Sequence, residues 1–242
     1  MEDLLSFLMG VIGNIISVLV FLSPLKTFWR IVKQRSTEEF ESVPYICSLL
    51  CSSLWAYYAL TKSGELLVAT INGFGIVVET TYLILFLIFS PRRMRMKTGI
   101  LVGILDVGIL AAAIGVTKMT LQGEKRTEAL GFICAALNIL MYAAPLSAMK
   151  TVVTTKSVEY MPFLLSFFLS INGGVWTFYS LLLPDYFLMV PNGAGFVLGV
   201  VQLVLYAIYR NPKSLKKNNV SDAGLVEEPL ISSYSITAPD HS

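Results

Sequence analysis

Residues 55–60 read WAYYAL and residues 72–75 read NGFG, and both stretches recur later, as WTFYSL at residues 176–181 and NGAG at residues 192–195. The first pair is offset by 121 residues and the second by 120. The offset of 121 also joins Gly10 to Gly131, Ile12 to Ile133, Pro24-Leu25 to Pro145-Leu146, Ser36 to Ser157 and Glu38 to Glu159. Pro, Trp, Asn and Gly recurring in one order indicate an internal duplication.

The composition places both copies in a lipid bilayer. Of the 242 residues, 55% are hydrophobic and only 14% are charged, whereas a soluble domain carries about 25% charged residues. A spanning helix needs about 20 apolar residues. Seven runs meet that need, at residues 4–25, 43–60, 66–89, 98–116, 129–148, 163–183 and 186–209.

The duplication and the seven helices together predict the topology. Predicted helices 1–3 correspond to helices 5–7, and because three is odd, one extra crossing is needed to give the second copy the same orientation. We therefore expect an all-α integral membrane protein, in which two parallel three-helix bundles are joined by a linker helix. Its parts are a first repeat at residues 4–90, the linker at 98–117, a second repeat at 128–209 and a disordered polar tail at 210–242.

The basic residues predict the orientation. The connections after predicted helices 1, 3, 5 and 7 hold fourteen of the 18 Lys and Arg residues. Cytosolic loops are enriched in Lys and Arg. We therefore expect these connections and the C-terminus in the cytosol, and the N-terminus on the opposite side.

Several functional classes are excluded. A net charge of +2 gives no basis for nucleic-acid binding. The three cysteines lie in apolar runs, and the single histidine is His241, next to the C-terminus. We therefore expect no metal site, no cofactor and no enzymatic activity.

Two duplicated pairs of residues could form a binding site, namely Trp55 with Trp176 and Asn72 with Asn192. Trp55 lies eleven residues after Pro44, about 16 Å along a helix and so near the middle of the bilayer. Amides donate to and accept from hydroxyls, and an indole face packs against a sugar ring. Alternatively, each Asn bonds to a neighbouring helix and each Trp packs or lies at the membrane interface. The duplication favours a shared cavity.

Four prolines fall at the cytosolic ends of predicted helices 1, 2, 5 and 6, namely Pro24, Pro44, Pro145 and Pro162. Proline commonly marks the start or end of a helix. It also removes a backbone hydrogen bond and kinks a helix. Four prolines at one level, in both repeats, favour an inner gate.

The same segments resemble a known family. They read GVIGNIISVLVFLSPLKTFWRIVKQRSTEEFESVPYI at residues 10–46, TINGFG at 70–75, MYAAPLSAMKTVVTTKSVEYMPF at 141–163 and PNGAGF at 191–196. They are similar to segments of the plant SWEET sugar transporters (MtN3/saliva, PQ-loop-like), over residues 10–209. The stretches SLWAYY and FLSPLKTFWRIV are closest to the branch found in the vacuolar membrane.

This resemblance implies a bidirectional uniporter of small sugars that works by alternating access, in the vacuolar membrane rather than the plasma membrane. SWEETs are themselves among the known transporters whose parallel repeats place the substrate site between them, near the middle of the membrane. The expected partners are a small neutral sugar, the lipid bilayer and like transporters in a homo- or hetero-oligomer.

The resemblance also implies roles for particular residues. The outer gate is Tyr58, Tyr179 and Asp185, although tyrosines are common at membrane interfaces in any case. The four prolines match the inner gate. The sugar pocket comprises the Trp and Asn pairs together with Ser17, Val20, Cys51, Asn138, Met141 and Asn172.

The size of the pocket residues bears on the sugar. SWEETs that carry sucrose tend to have small residues at these positions, and those that carry hexoses have larger ones. Met141 and Asn172 are of the hexose type, whereas Val20 and Cys51 are smaller. We expect a preference for monosaccharides such as glucose and fructose.

Two carboxylates lie inside predicted spans, Glu79 and Asp106. Such a group is a candidate proton relay. Neither is duplicated, since the position matching Glu79 is Gly199, so structural roles and uniport without proton coupling are favoured.

Two other functions remain as alternatives. A seven-helix receptor would need no duplication. A PQ-loop-type amino-acid carrier would be expected to show Pro-Gln at its gate, where this chain has Pro-Leu, Pro-Tyr, Pro-Leu and Pro-Phe.

Overall fold

A computed structural model describes residues 2–159 and 161–210, and all of its regular structure there is helical. The ten α-helices are α1 Glu2–Leu22, α2 Leu25–Gln34, α3 Val43–Thr61, α4 Leu66–Phe89, α5 Arg92–Val102, α6 Leu110–Thr120, α7 Gly123–Met141, α8 Ala143–Thr155, α9 Phe163–Leu182 and α10 Tyr186–Tyr209. A π-helical segment, Gly103–Ile109, joins α5 to α6. They form seven segments long and apolar enough to cross a membrane, so the predicted fold class is confirmed. The predicted disordered tail, beyond Arg210, lies outside the described residues.

The helix bounds differ from the prediction in three places. The first segment extends to Gln34, the fourth covers Arg92–Thr120 and the fifth covers Gly123–Thr155, whereas the runs were predicted to be shorter. In each case the extra turns carry charged residues, as in RRMRMK at the start of α5. A search for apolar runs stops where the helix leaves the hydrocarbon, but the backbone hydrogen bonds continue into the polar region.

The first helix of each repeat is broken close to its proline, Pro24 or Pro145. Pro24 has no N–H to bond to the Val20 carbonyl, and the Ser23 N–H bonds to that oxygen instead, at 3.1 Å. In the second repeat the break falls at Tyr142, whose N–H bonds to the Ile139 carbonyl at 3.1 Å, three residues before Pro145. The segments beyond the two breaks, α2 and α8, also end alike, with left-handed residues at matching positions, Arg35 and Lys156.

Six segments surround a central space. Around this ring the order of neighbours is α1, α4, α3, α7, α10 and α9, with α9 packing back on α1. In each repeat the third segment therefore lies between the first and the second, and the two repeats meet where α1 packs on α9 and α3 on α7. The linker of α5, the π-helical segment and α6 lies outside the ring, chiefly against α3. The space between the repeats is thus lined by both copies.

Glycines allow the first and third segments of each repeat to pack closely. A side chain on Gly10 would collide with Leu67, and one on Gly131 would collide with Phe187. Gly131 is the match of Gly10, and Phe187 lies 120 residues after Leu67. The same close packing between the first and third segments therefore occurs in both repeats, in agreement with the duplication seen in the sequence.

Candidate functional site

A cavity of about 230 Å³ lies inside the ring, between the two repeats. The structure brings together all ten residues singled out for the pocket, and each of them lines this cavity: Ser17, Val20, Cys51, Trp55, Asn72, Asn138, Met141, Asn172, Trp176 and Asn192. They come from the three segments of each repeat. This placement favours a shared cavity over the alternative, in which each Asn bonds to a neighbouring helix and each Trp packs or lies at the membrane interface.

Asn72 and Asn192 are held in the same way. The Asn72 amide nitrogen donates to the Val68 carbonyl at 2.8 Å, and the Asn192 amide nitrogen donates to the Leu188 carbonyl at 2.8 Å. Each bond spans one helical turn and uses one of the two N–H groups. The amide oxygen and the second N–H of each residue remain to accept from and donate to a ligand hydroxyl.

The two repeats are joined across the cavity by matched hydrogen bonds. Ser17 in α1 donates from Oγ to Oδ1 of Asn172 in α9, at 2.6 Å. In the counterpart, Cys51 in α3 donates from Sγ to Oδ1 of Asn138 in α7, at 2.9 Å. Asn138 is the match of Ser17, and Asn172 is the match of Cys51, both at an offset of 121. One interaction therefore occurs twice about the axis that relates the repeats.

The two tryptophans form an aromatic wall of the central cavity. Trp55 and Trp176 are buried, and each packs edge-on against a tyrosine one turn further along its helix, Tyr58 and Tyr179, with ring centroids 5.3 and 5.2 Å apart. The Trp176 indole N–H donates to Ser17 Oγ at 2.9 Å. The wall is thus fixed in place and offers indole surface to the cavity.

Beyond the tryptophans, buried polar residues seal one end of the ring, which we call the carboxylate end after Glu65 and Asp185. The Tyr58 hydroxyl donates to Asp185 Oδ2 at 2.8 Å, and the Tyr179 hydroxyl donates to Glu65 Oε2 at 3.1 Å. All four side chains are at most 2% exposed. Each bond runs from one repeat to the other, so the seal must break if the repeats separate here.

Lys62 neutralises part of the negative charge at the carboxylate end. Its Nζ lies 2.6 Å from Asp185 Oδ2 and 3.5 Å from Glu65 Oε1. The matching residue of the second repeat is Leu183, so one cation serves two carboxylates. Burial raises the pKa of the Glu65 carboxyl, and Asp185 raises it further, against the lowering effects of Lys62 and of the Tyr179 hydrogen bond.

Asp185 has a second role at the carboxylate end. Its Oδ1 accepts from the backbone N–H groups of Phe187 and Leu188, at 3.0 and 3.1 Å, and so caps α10. Aspartate is a preferred capping residue. The cap anchors the carboxylate at the helix start and leaves its other oxygen for Tyr58 and Lys62.

The opposite end of the ring, which we call the proline end, is less enclosed. Pro44 and Pro162 are exposed at the starts of α3 and α9, and Pro24 and Pro145 are half-buried where the first segment of each repeat breaks. The four prolines therefore lie at one end, at matched positions of the two repeats. The carboxylate end is sealed by hydrogen bonds between the repeats. At the proline end the buried hydroxyls of Ser42 and Thr98 bond to each other and join α3 to the linker, and no side-chain bond among the described residues joins the two repeats there.

The sequence analysis missed Glu65 and Lys62, because they fall in the short connection between two predicted helices. A usable signal was present, since Glu65 directly precedes α4 as Asp185 directly precedes α10, at the offset of 120. Of the carboxylates that were singled out, neither Glu79 nor Asp106 lines the central cavity. Within the described part of the chain, no cluster of three His, Cys, Asp or Glu side chains could hold a metal ion.

Comparisons with known proteins bear on this geometry. The family described as "Sugar efflux transporter for intercellular exchange" matches the chain twice, at residues 7–94 and 128–214. Among curated proteins, the Arabidopsis thaliana "Bidirectional sugar transporter SWEET17" is 57% identical over 94% of this chain and 95% of its own length. The Arabidopsis thaliana "Bidirectional sugar transporter SWEET16" is 55% identical over 94% of this chain and 98% of its own.

A solved structure is similar as well. It is "The 3.7 A resolution structure of a eukaryotic SWEET transporter", with a TM-score of 0.83 and 39% sequence identity, over 86% of this chain and 98% of that one. The two matches of one family to one chain agree with the duplicated architecture.

Proposed function

This chain belongs to the SWEET family of sugar transporters, and we propose that it moves small neutral sugars, chiefly hexoses such as glucose and fructose, by facilitated diffusion through alternating access. It is a transport protein and not an enzyme. The sugar lies in the central cavity between the repeats, and the repeats rock about it so that one end of the ring opens while the other closes.

The observation that carries this proposal is an uncharged cavity in which amides and indoles converge. None of the described residues that line it is Asp, Glu, Lys, Arg or His. Hydroxyl-rich neutral solutes are bound by such groups, whereas a zwitterionic amino acid would leave both of its charges unpaired in a low-dielectric site. The chemistry of the lining therefore favours a sugar over an amino acid.

The two ends of the ring support alternating access. Cross-repeat hydrogen bonds seal the carboxylate end, while the prolines at the proline end are exposed or half-buried. Alternating access requires a state in which one end of the ring is closed while the other is open, and the difference between the two ends fits such a state. Tyr58, Tyr179 and Asp185, joined by Glu65 and Lys62, act as the gate at the carboxylate end, and Pro24, Pro44, Pro145 and Pro162 act as hinges at the other.

The dimensions of the central cavity support hexoses. Its volume, about 230 Å³, is just below the range of about 300–1,000 Å³ usual for small-ligand pockets. Met141 and Asn172 occupy space on one side that a second sugar ring would need. A few neutral hydrogen bonds predict weak binding, at about millimolar affinity or about −4 kcal/mol, which suits rapid release.

The cellular setting follows from the relatives and the charges. The similarity to SWEET16 and SWEET17 supports the vacuolar membrane, and the basic connections support a cytosolic proline end and C-terminus. Association into homo- or hetero-oligomers with like transporters is part of the same proposal.

The test is uptake of labelled glucose, fructose and sucrose into proteoliposomes that contain the purified protein. We expect saturable flux of the two hexoses in both directions and much slower flux of sucrose. The double variant Asn72→Ala/Asn192→Ala should lose most of this flux. Asn14→Ala is the matched control, because the Asn14 amide donates to the Gly10 and Leu67 carbonyls, at 2.9 Å each, outside the cavity lining. Equal flux in the double variant and the wild type would refute the site.

A further inference from the structure

A second cavity of about 220 Å³ adjoins the central one, entirely within the second repeat. We call it the side chamber, and its own walls include Tyr142, Pro145, Leu198, Gly199 and Gln202. Three lining residues belong to both cavities, namely Asn138, Asn172 and Asn192. The side chamber therefore opens from the polar wall of the central cavity and reaches one of the prolines of the proline end.

The first repeat has larger side chains at the matching positions. Gly199 corresponds to Glu79, and Gln202 corresponds to Tyr82. Glu79 and Tyr82 are both buried, and the Tyr82 ring stacks on Phe28 with centroids 4.3 Å apart. The Tyr82 hydroxyl donates to the Phe21 carbonyl at 3.1 Å. Side chains thus take up in one repeat the space that remains open in the other.

Two glycines beside the side chamber let the backbones of α9 and α10 come into direct contact. A Cβ on Gly199 would lie 2.8 Å from Ser170 Cα, and one on Gly173, which also lines the chamber, would lie 2.8 Å from the Phe196 nitrogen. Neither contact can be relieved by moving a flexible side chain. Helices α9 and α10 are therefore in backbone contact beside the chamber, and its shape is fixed by rigid elements.

Gln202 is the polar group of the side chamber that lacks a partner. Its side chain is only 6% exposed, and its amide makes no hydrogen bond with any of the described residues. The amide therefore faces the open space of the chamber rather than a protein partner. By contrast, the Tyr142 hydroxyl is occupied, since it donates to the Pro191 carbonyl. Gln202 offers two donors and an acceptor to whatever occupies the chamber.

From this geometry we propose that the side chamber is a second saccharide-binding position, which a hexose occupies between the central cavity and the proline end, with Gln202 as its main hydrogen-bonding group. The inference rests on the proposed function and adds a position to the sugar's route. The chamber is about as large as the central cavity, is uncharged among its described lining residues and shares three amides with it. A hexose can therefore exchange one set of amide bonds for another as it moves.

The first experiment measures hexose transport by proteoliposomes that contain the full chain with Gln202→Met, which keeps the length and apolar bulk of the side chain but removes the amide. We expect KM for glucose and fructose to rise about fivefold, the effect of one neutral hydrogen bond, with a maximal rate per folded protein within twofold of the wild type. Tyr82→Phe is the matched control, because it removes one polar group at the corresponding position of the repeat that has no chamber. Its KM should not change.

The second experiment fills the side chamber with Gln202→Tyr, which recreates the residue of the first repeat. We expect at least a tenfold fall in the maximal transport rate. Hexose binding in the central cavity should persist, as measured by quenching of Trp55 and Trp176 fluorescence in a Trp29→Phe background. Size-exclusion chromatography checks that each variant is folded.

The outcomes separate this inference from the proposed function. If the wild type carries hexoses and both Gln202 variants match it in KM and rate, the side chamber holds only water or lipid and the inference is refuted. A wild type that carries no sugar would overturn the proposed function and this inference with it. A rise in KM in Tyr82→Phe equal to that in Gln202→Met would also refute it, because the effect would not depend on the chamber.

Discussion

Residues that line the central cavity are set in position by residues of the other repeat. Asn172 accepts from Ser17, and Asn138 accepts from Cys51. In each case an amide of one repeat is oriented by a small donor of the other. Their accepting oxygens point to a protein donor, which leaves the amide N–H groups for the ligand. The size and polarity of these four positions therefore affect both the strength of the interface and the fit of the sugar.

Sugar size should be set by two of the lining residues. Replacing Met141 with Val and Asn172 with Ser removes bulk from the cavity while the serine can still bond to Ser17. We expect the ratio of sucrose to glucose uptake to rise about tenfold, within the range for relieving a misfit of one or two heavy atoms. Uptake of the two labelled sugars by proteoliposomes measures it.

The matched control for this change is Ile139→Val in the same helix. Ile139 is 48% exposed on the outside of the ring and does not line the cavity. Its variant should keep the wild-type ratio. A sucrose ratio that stays at the wild-type value in the double variant would remove the support for the size argument.

Among the structural elements, the two ends of the ring behave differently because their polar groups differ. At the carboxylate end, the acidic residues just before α4 and α10 accept hydrogen bonds from tyrosines of the other repeat. One lysine, Lys62, neutralises part of their charge. At the proline end, missing backbone hydrogen bonds break the first segment of each repeat. The first end is held by specific hydrogen bonds between the repeats, and the second carries the breaks in the first segments.

Lys62 should hold the carboxylate end shut. Without its charge, the buried carboxylates of Glu65 and Asp185 lose the cation that both contact, and leaving a buried charge uncompensated is destabilising. In Lys62→Met we expect a membrane-impermeant thiol reagent, added at this end, to label Cys51 at least five times faster. The measurement uses a background with Cys47→Ser and Cys134→Ser.

Lys118→Met is the control for the lysine prediction. Lys118 is an exposed lysine at the same end of the molecule, in the last turn of α6. Its loss should leave the labelling rate of Cys51 unchanged. Slow labelling in both variants would contradict a sealing role for Lys62.

The carboxylate end should also respond to pH through Glu65. Burial raises its pKa in the sealed state, whereas a hydrated glutamate in the open state titrates near about 4.3. At pH values between the open-state pKa and the raised sealed-state pKa, the sealed state binds the Glu65 proton more strongly, so protonation favours sealing. As the pH rises, Glu65 loses this proton and its negative charge again opposes the sealed state. Acidifying the solution at this end should therefore slow the labelling of Cys51.

Glu65→Gln should abolish this pH response, once each rate is divided by the rate of a free thiol at the same pH to remove the thiol's own titration, because the amide does not titrate. Glu124→Gln, at an exposed position in the first turn of α7 at the same end, should keep it. The measurement is the Cys51 labelling rate between pH 4.5 and 7.5, a window of about three units that begins just above the ordinary pKa of a glutamate. An acid response that survives in Glu65→Gln would assign it to another group.

The prolines should be needed for movement but not for folding. Replacing Pro24, Pro44, Pro145 and Pro162 with Ala restores the missing N–H groups at the two breaks, which favours continuous first segments, and removes the fixed φ at the starts of α3 and α9. We expect hexose transport to fall at least tenfold, while membrane insertion and the size-exclusion profile are retained. Pro91→Ala, which changes the residue before α5 outside the ring, is the control and should transport normally.

In the molecule as a whole, two-fold pseudosymmetry is broken in three places. The linker packs on one side of the ring, Lys62 is matched by Leu183, and the side chamber lies beside Gly199 and Gln202, whose matches in the first repeat are the larger Glu79 and Tyr82. Glu79 and Asp106 are further unmatched groups. Both are buried, and Glu79 Oε2 and both Asp106 oxygens have no hydrogen-bond partner, but neither residue lines either cavity.

This arrangement predicts transport without proton coupling. An imposed pH gradient across proteoliposomes should not drive glucose above its outside concentration, because no carboxylate lines either of the two cavities in which the sugar is proposed to bind. Glu79→Gln and Asp106→Asn should each keep hexose flux within about twofold, the change expected from a shift of under half a kcal/mol in the barrier. Uphill accumulation that either variant abolishes would overturn the uniport proposal.

The part of the site that was predictable from the sequence depended on linear patterns. Hydropathy located seven segments, and the bounds of the second, third, sixth and seventh agree with the helices to within one residue. The offsets of 120 and 121 paired Asn72 with Asn192 and Trp55 with Trp176. Hydropathy and repeat spacing are properties of neighbouring residues and of the chain order, so they can be read without coordinates.

Tertiary structure decided what these residues do to one another. The order of helices around the ring, the sealing bonds from Tyr58 to Asp185 and from Tyr179 to Glu65, and the side chamber beside Gln202 all depend on which helix faces meet. Those contacts join residues more than 100 positions apart, and composition does not determine how helices rotate against each other. The sequence alone therefore determined a duplicated, seven-helix membrane protein, and side-chain packing between the repeats determined which end is closed and where a sugar has room.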